Sequence, residues 1–228
     1  MNKTSLAVLT LLAVCACKNK TPDAQVIGGV ETFCPDEHHP HLIDFGLPSG
    51  TLWSCCNLDA DIPSDAGKFY AWGELDPKEE YTEQNYQLHD NVNGGFVNLH
   101  RDHIAMSEYD VVHKRWGQGW RLPSQEQFTE LMKECDWEVC EQNGVKGLAI
   151  SKGDKAIFMP VAGLMNGVQP EHGSDMVMVY GWTDMPVGDY SGKAYCLQAC
   201  PQEDGSTAAA LSEMDAFLGV SIRPVALP

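Results

Sequence analysis

The chain is short of positive charge. Lys and Arg number 15 against 32 Asp and Glu, for a net charge of −17 over 228 residues. That balance argues against nucleic acid as a partner, because the phosphates would repel the surface. It also argues against electrostatic adhesion to anionic lipid heads. Divalent cations or basic partners fit the charge, although its plainest meaning is a soluble acidic surface. A long apolar run is missing too. The longest, Leu6 to Val14, falls short of the roughly 20 residues a spanning helix needs. Catalytic signatures are equally scarce. There is no His-Glu-x-x-His, as a zincin needs, and no Gly-x-Ser-x-Gly elbow. Gly94-Gly95 and Gly117-x-Gly119 lack the strand-to-helix context of a nucleotide loop and read as turns. No internal repeat of about 20–50 residues is visible.

The apolar run itself is informative. Asn2 and Lys3 precede it and Val14-Cys15-Ala16-Cys17 follows it. A short positive start, a short apolar stretch and a small residue before the cut describe a secretory signal. An apolar residue at −3 and Ala16 at −1 before Cys17 resembles the bacterial lipobox, in which the cysteine is acylated (palmitate-type chains) and becomes the first mature residue. Cys15 would place bulky Val14 at −1, so Cys17 is preferred as the lipidation site. Residues 1–16 are then a signal peptide, and 17–41 are the lipidated cysteine and a polar tether containing Pro22, Pro35, Pro40, Gly28 and Gly29. The tether from Lys18 to His41 would hold the domain on the order of 25–30 Å from the bilayer. Residues 42–228 form the domain. About 210 mature residues suffice for one well-filled core or two small ones.

Seven cysteines follow Cys17, namely Cys34, Cys55, Cys56, Cys135, Cys140, Cys196 and Cys200. In an exported chain they are disulfide candidates first. Cys135 with Cys140, and Cys196 with Cys200, are close enough in sequence to close small loops if the geometry allows. Connectivity does not follow from sequence, and an odd number leaves at least one thiol free or pairing with another chain. Adjacent Cys55 and Cys56 are expected to point to opposite faces of a strand.

Periodicity gives the elements. Tyr109 to Trp116 reads as a helix stopped by Gly117. Ser124 and Gln127 form a capping-box pattern ahead of a helix whose apolar face is Phe128, Leu131, Met132 and Cys135. Strand-like runs are expected at 51–56, 67–73, 137–140, 145–151, 156–161, 177–182, 194–197 and 217–225, with Asn143-Gly144 as a hairpin turn. Residues 74–103 read as a long surface excursion. Helices in the first half and strands in the second indicate an α+β class.

Several segments also match a known pattern in order. Ile43-Asp44-Phe45-Gly46-Leu47-Pro48-Ser49-Gly50-Thr51-Leu52-Trp53, Phe69-Tyr70-Ala71-Trp72-Gly73-Glu74, Trp116-Gly117-Gln118-Gly119-Trp120-Arg121-Leu122-Pro123-Ser124, Ile157-Phe158-Met159-Pro160-Val161-Ala162-Gly163 and Ser221-Ile222-Arg223-Pro224-Val225 together resemble the Fibrobacter succinogenes major paralogous domain over roughly residues 42–226. Such domains occur on exported proteins and lipoproteins of Bacteroidota and related bacteria. The resemblance implies a C-type-lectin-like fold, shared with formylglycine-generating proteins, in which two helices pack on a twisted antiparallel sheet with long loops. It implies no catalytic activity, and fold alone does not settle function. This chain departs from the pattern at Tyr180-Gly181-Trp182-Thr183-Asp184, where many members carry Tyr-Trp-Ser-Ser-Thr.

Candidate sites are few. Asp36-Glu37-His38-His39-Pro40-His41 is the densest ligand-type cluster, but it lies in the tether and reads as adventitious. His100-Arg101-Asp102-His103 reads first as a solvated loop. Trp182-Thr183-Asp184 and Gln169-Pro170-Glu171 resemble, in part, the calcium segments of C-type lectins. This makes Trp182, Asp184 and Glu171 a candidate ligand rim and Ca²⁺ the one cofactor worth testing, against a plainer role for Trp182 in the core. Cys196 and Cys200 invite comparison with the copper-holding pair of formylglycine-generating relatives, but their flanks do not match. Arg121 and Arg223 read as architectural, in buried or half-buried ion pairs. Trp53, Trp72, Trp116 and Trp120 read as core.

The sequence therefore leads to an exported lipoprotein of the cell outer membrane, facing either the periplasm or the surface. It is expected to be a non-enzyme that recognises a glycan or protein ligand, with a structural subunit of an appendage or envelope complex as the alternative.

Overall fold

The computed structural model describes residues 41–90, 92, 103–117, 119–171, 178–188, 191–202 and 206–227, with backbone only at 169–171 and 201. Its described part is mostly antiparallel β-sheet with two α-helices, in keeping with the α+β expectation. The first sheet holds β1 (Leu42–Asp44), β2 (Leu52–Ser54), β12 (Val225–Ala226) and β3 (Trp120–Arg121), in that order. The beginning and end of the domain thus lie in one sheet, with Val225 opposite Trp53 on one side and Arg121 on the other. A second sheet orders β11 (Thr207–Asp215), β10 (Lys193–Pro201) and β9 (Val179–Pro186). A third joins β4 (Asp136–Gln142), β5 (Val145–Lys152) and β6 (Lys155–Pro160), and β7 (Leu164–Asn166) pairs with β8 (Gln169–Glu171).

The helices start where their caps dictate. Helix α2 (Gln125–Glu134) carries the expected capping box, with Gln127 N donating to Ser124 Oγ and Ser124 N to Gln127 Oε1. It buries Phe128 and Leu131, and the Phe128 ring lies 5.2 Å from that of Trp53. Helix α1 (Val111–Trp116) begins two residues later than its periodicity predicts, because Asp110 is its N-cap. Asn143 and Gly144 close the β4–β5 hairpin, both at positive φ, as a type I′ turn requires. At Gly147 on β5 a Cβ would meet the Phe158 ring and the Met159 carbonyl below 3 Å, so only glycine allows that cross-strand approach.

Other expectations change. The run at 67–73 contributes only the Tyr70–Val220 bridge. The run at 217–225 is broken: the chain turns at 216–217, Gly219 and Val220 make only isolated bridges, and β12 forms at its end. Strand β11, by contrast, arises from an alanine-rich stretch of weak β-propensity, carried by nine paired positions against β10. The expected excursion also returns to the core. Tyr81 and Tyr86 are buried, their hydroxyls donate to Phe69 O (2.5 Å) and Trp72 O (2.7 Å), and Tyr81 exchanges backbone bonds with Gly167.

Trp53, Trp72, Trp120 and Trp182 are all fully enclosed, and half-buried Trp116 sits edge-on to Trp120 at 5.0 Å. Two indoles tie β9 to the 70–72 segment: Trp72 Nε1 donates to Thr183 O (2.9 Å) and Trp182 Nε1 to Tyr70 O (2.8 Å). Arg223 is enclosed as well. Its guanidinium donates to Asn57 Oδ1, Ser54 O, Cys55 O and Phe158 O at 2.5–3.0 Å. The expected architectural role is met through neutral oxygens that tie three segments together.

Candidate functional site

Among the described residues three carboxylates are buried, those of Glu74, Asp110 and Asp184. Burying a charge is costly unless it is paired or hydrogen-bonded, so each needs an account. Glu74 is matched by a cation. Lys78 Nζ lies 2.9 Å from Oε2, over the rings of Tyr81 and Tyr86, and Gln87 N donates to Oε1 at 2.7 Å. Asp110 collects four backbone N–H groups, from Met106, Val112, His113 and Leu122, at 2.9–3.2 Å.

Asp184 is different. It lies on β9 with its backbone held from both sides, its N–H donating to Pro123 O and its carbonyl accepting from Ile104 N, each at 2.9 Å. Its Oδ1 is buried with no hydrogen-bond partner. Its Oδ2 is 3.8 Å from Nδ1 of exposed His103, beyond a hydrogen bond. Burial pushes its pKa up to about 6 against the opposing pull of His103; Glu126 raises it further, Arg121 lowers it and Asp110 raises it. Asp184 therefore faces an exposed imidazole with one oxygen left to accept a donor.

Of the expected rim, the described side chains are those of Trp182 and Asp184. Trp182 does not belong to it: it is a core residue whose indole N–H is already used. Thr183 is also committed, donating to Tyr195 O and accepting from Met185 N. Glu171 pairs with Leu164 through β8, and its side chain, like residues 172–177, lies outside the described residues. Ca²⁺ takes about six to eight oxygens. Among the described residues no group of three or more His, Cys, Asp or Glu gathers to hold a metal ion. Asp36 to Pro40, His100 to Asp102 and Cys17 lie outside the described residues. The pairing of His103 with Asp184 was missed in the sequence, where the two fall in separate motifs and only the fold brings them together.

The cysteine expectations are corrected. Cys196 and Cys200 lie on one face of regular β10, about 13 Å apart at strand rise. Cys135 caps α2 and Cys140 lies in β4, about 16 Å away along an extended chain. A disulfide needs Cα atoms within about 7 Å, so neither short-range pair can close. The same spacing keeps Cys196 and Cys200 from sharing one copper ion. Burial also pushes the Cys196 thiol far up, and it donates to Leu197 O. Cys55 and Cys56 depart from expectation too. Strand β2 ends at Ser54, the chain bends, and their Sγ atoms converge to 3.2 Å.

A second polar cluster is structural. The Tyr70 hydroxyl donates to Asp59, and Arg115 Nη1 lies 3.3 Å from Asp59 Oδ2, with its guanidinium over the Tyr70 ring. Burial, then the bond to Asp59, holds that phenol protonated.

Comparison with protein-family models, curated proteins and solved structures finds no match to this chain.

Proposed function

We propose that the chain is an exported, lipid-anchored envelope protein whose domain is C-type-lectin-like, of the Fibrobacter succinogenes major paralogous type, and recognises a glycan or protein ligand without transforming it. The observation that carries this reading is Asp184. A buried carboxylate oxygen without a donor is costly to the free protein and is repaired by a ligand hydroxyl or amide. Both glycans and polypeptides present such donors, and a charge-assisted bond of this kind is stronger than a neutral one. Cys17 supports the envelope setting, and the net charge makes nucleic acid an unsuitable ligand.

The test is a glycan array and an envelope pull-down with wild type and Asp184→Asn side by side. Loss of captured ligand by the variant, on the order of tenfold or more, is expected. Folded wild type that captures nothing, or a variant that captures equally, overturns the reading. Cys17→Ala tests the anchor separately: the protein should leave the membrane fraction, and unchanged retention would mean that Cys17 is not lipidated.

One observation favours a structural subunit instead. Strand β11 ends its sheet and exposes Ala208 and Ala210, small side chains that would let another strand approach. A monomer at all concentrations, with no envelope complex on crosslinking, would remove this alternative.

A further inference from the structure

We propose that Cys55 and Cys56 close a vicinal disulfide, a modification site at the bend after β2. Side chains of adjacent residues in a strand point to opposite faces, and that arrangement would have kept the two thiols apart. Here the strand stops at Ser54 and the bend turns both sulfurs to the same side, 3.2 Å apart. The bend is held from several directions. Cys55 N donates to His41 O at 3.0 Å and Cys56 N to Ser54 Oγ at 3.3 Å. The carbonyls of Ser54 and Cys55 accept from Arg223 Nη1 at 3.0 and 2.5 Å, and Arg223 Nε bonds the next side chain, Asn57. Forming the S–S bond needs an approach from 3.2 Å to about 2.05 Å, which asks for side-chain rotation and little else. Both residues are buried, at 4% and 0% exposure, with His41 Nδ1 3.8 Å from Cys55 Sγ. Once closed in the folded domain, the bond is shielded from external thiols.

The chemistry is a dithiol–disulfide exchange as the chain folds, before burial is complete. The Cys55 thiolate attacks one sulfur of a disulfide oxidant, such as a protein dithiol oxidase or oxidised glutathione, and expels the first oxidant thiolate. The Cys56 thiolate then attacks Cys55 Sγ and expels the second. Two electrons pass to the oxidant, whose two sulfurs take up the two protons that the cysteines lose. Adjacent Cα atoms stand about 3.8 Å apart, below the usual span of a disulfide, so the ring is strained and more reducible than a structural bridge. Redox state is thereby coupled to the receptor of Arg223, the group joining β2, the bend and β6.

The test uses the full chain refolded in a glutathione redox buffer, quenched with an alkylating agent under denaturing conditions and cleaved before aspartate. Cutting at Asp44 and Asp59 isolates a peptide of residues 44–58, which contains Cys55 and Cys56 and no other cysteine. The expected peptide is unalkylated and lighter than the dithiol by two hydrogen atoms, and it takes two alkyl groups after reduction. In Cys55→Ser the remaining Cys56 should alkylate without reduction. A wild-type peptide already carrying two alkyl groups, bound to glutathione, or linked to Cys34 or another cysteine overturns the proposal. Because the oxidant is in the buffer, the result does not depend on export.

Discussion

Asp110 and Asp184 are two buried aspartates on neighbouring segments, and they are treated in opposite ways. Asp110 is fully enclosed, yet its two oxygens collect four backbone N–H donors from the turn before α1, from α1 itself and from the entry to α2. Asp184 is 5% exposed and lacks a hydrogen-bond partner for Oδ1. Burial raises the pKa of both, but at Asp110 the four N–H groups pull against it, whereas at Asp184 the opposition comes from side-chain charges, His103 first. The backbone meets the carboxylate of Asp110, and one oxygen of Asp184 is left without a donor, which under the proposed function is the place a ligand would fill.

The largest effect should come from breaking the satisfied member. Asp110→Ala strands four donors and removes the α1 cap, and unfolding in urea should show a loss of about 3 kcal/mol or more. Asp110→Asn keeps acceptor capacity in one oxygen and should lose less. A loss under about 1 kcal/mol for the alanine variant would mean that water satisfies those donors equally well.

The opposite sign is expected at Asp184. With its pKa raised to about 6, its charged form is disfavoured in the folded state by roughly 2–3 kcal/mol relative to an ordinary aspartate. Asp184→Asn should therefore raise stability at pH 7 by about 1–3 kcal/mol while losing ligand. Higher stability with lower binding is the mark of a functional group held at a cost to the fold. A variant that is less stable at neutral pH would place Asp184 with Asp110 as architecture.

The pH dependence sharpens the same contrast. Between about pH 4 and pH 6 the unfolded chain has released the Asp184 proton and the folded chain still holds it. The unfolded state then binds fewer protons, so this residue makes wild-type stability fall as pH rises through that window. The gap between wild type and Asp184→Asn should open across it and close below about pH 4. A constant gap from pH 3 to 8 would show that titration of Asp184 is not its source.

How much of this was legible follows from where the information lies. The capping box of α2 and the Asn143-Gly144 hairpin are local, and both formed as read. Asp110 was legible too, as an aspartate one residue before a helix, but the apolar period of Tyr109 and Val112 drew the helix start too early. Strand β11 could not be read, because Ala208-Ala209-Ala210 has no strand preference of its own and is ordered by its partner. At the site, Asp184 was singled out together with Trp182, and that grouping does not hold. Its neighbour Trp182 is core, and the relevant partner, His103, comes from a segment whose meaning only tertiary structure supplies. Cys55 and Cys56 show the same limit at the smallest scale, since alternation along a strand holds only while the strand continues.

The smallest effect belongs to His103, and it tests whether the site's electrostatics are local. The imidazole is exposed and 3.8 Å from Oδ2, and it is the foremost influence opposing burial at Asp184. To the extent that the ring is protonated, it steadies the aspartate anion, so His103→Ala should move the Asp184 titration upward by less than about one unit. Carbon-detected NMR of the Asp184 carboxyl would read this directly, with Asp184→Asn identifying the resonance. The difference should shrink with added salt, because an exposed charge is screened. A downward move, or none at low salt, would detach His103 from Asp184 and leave the unpartnered oxygen as the only argument for the site.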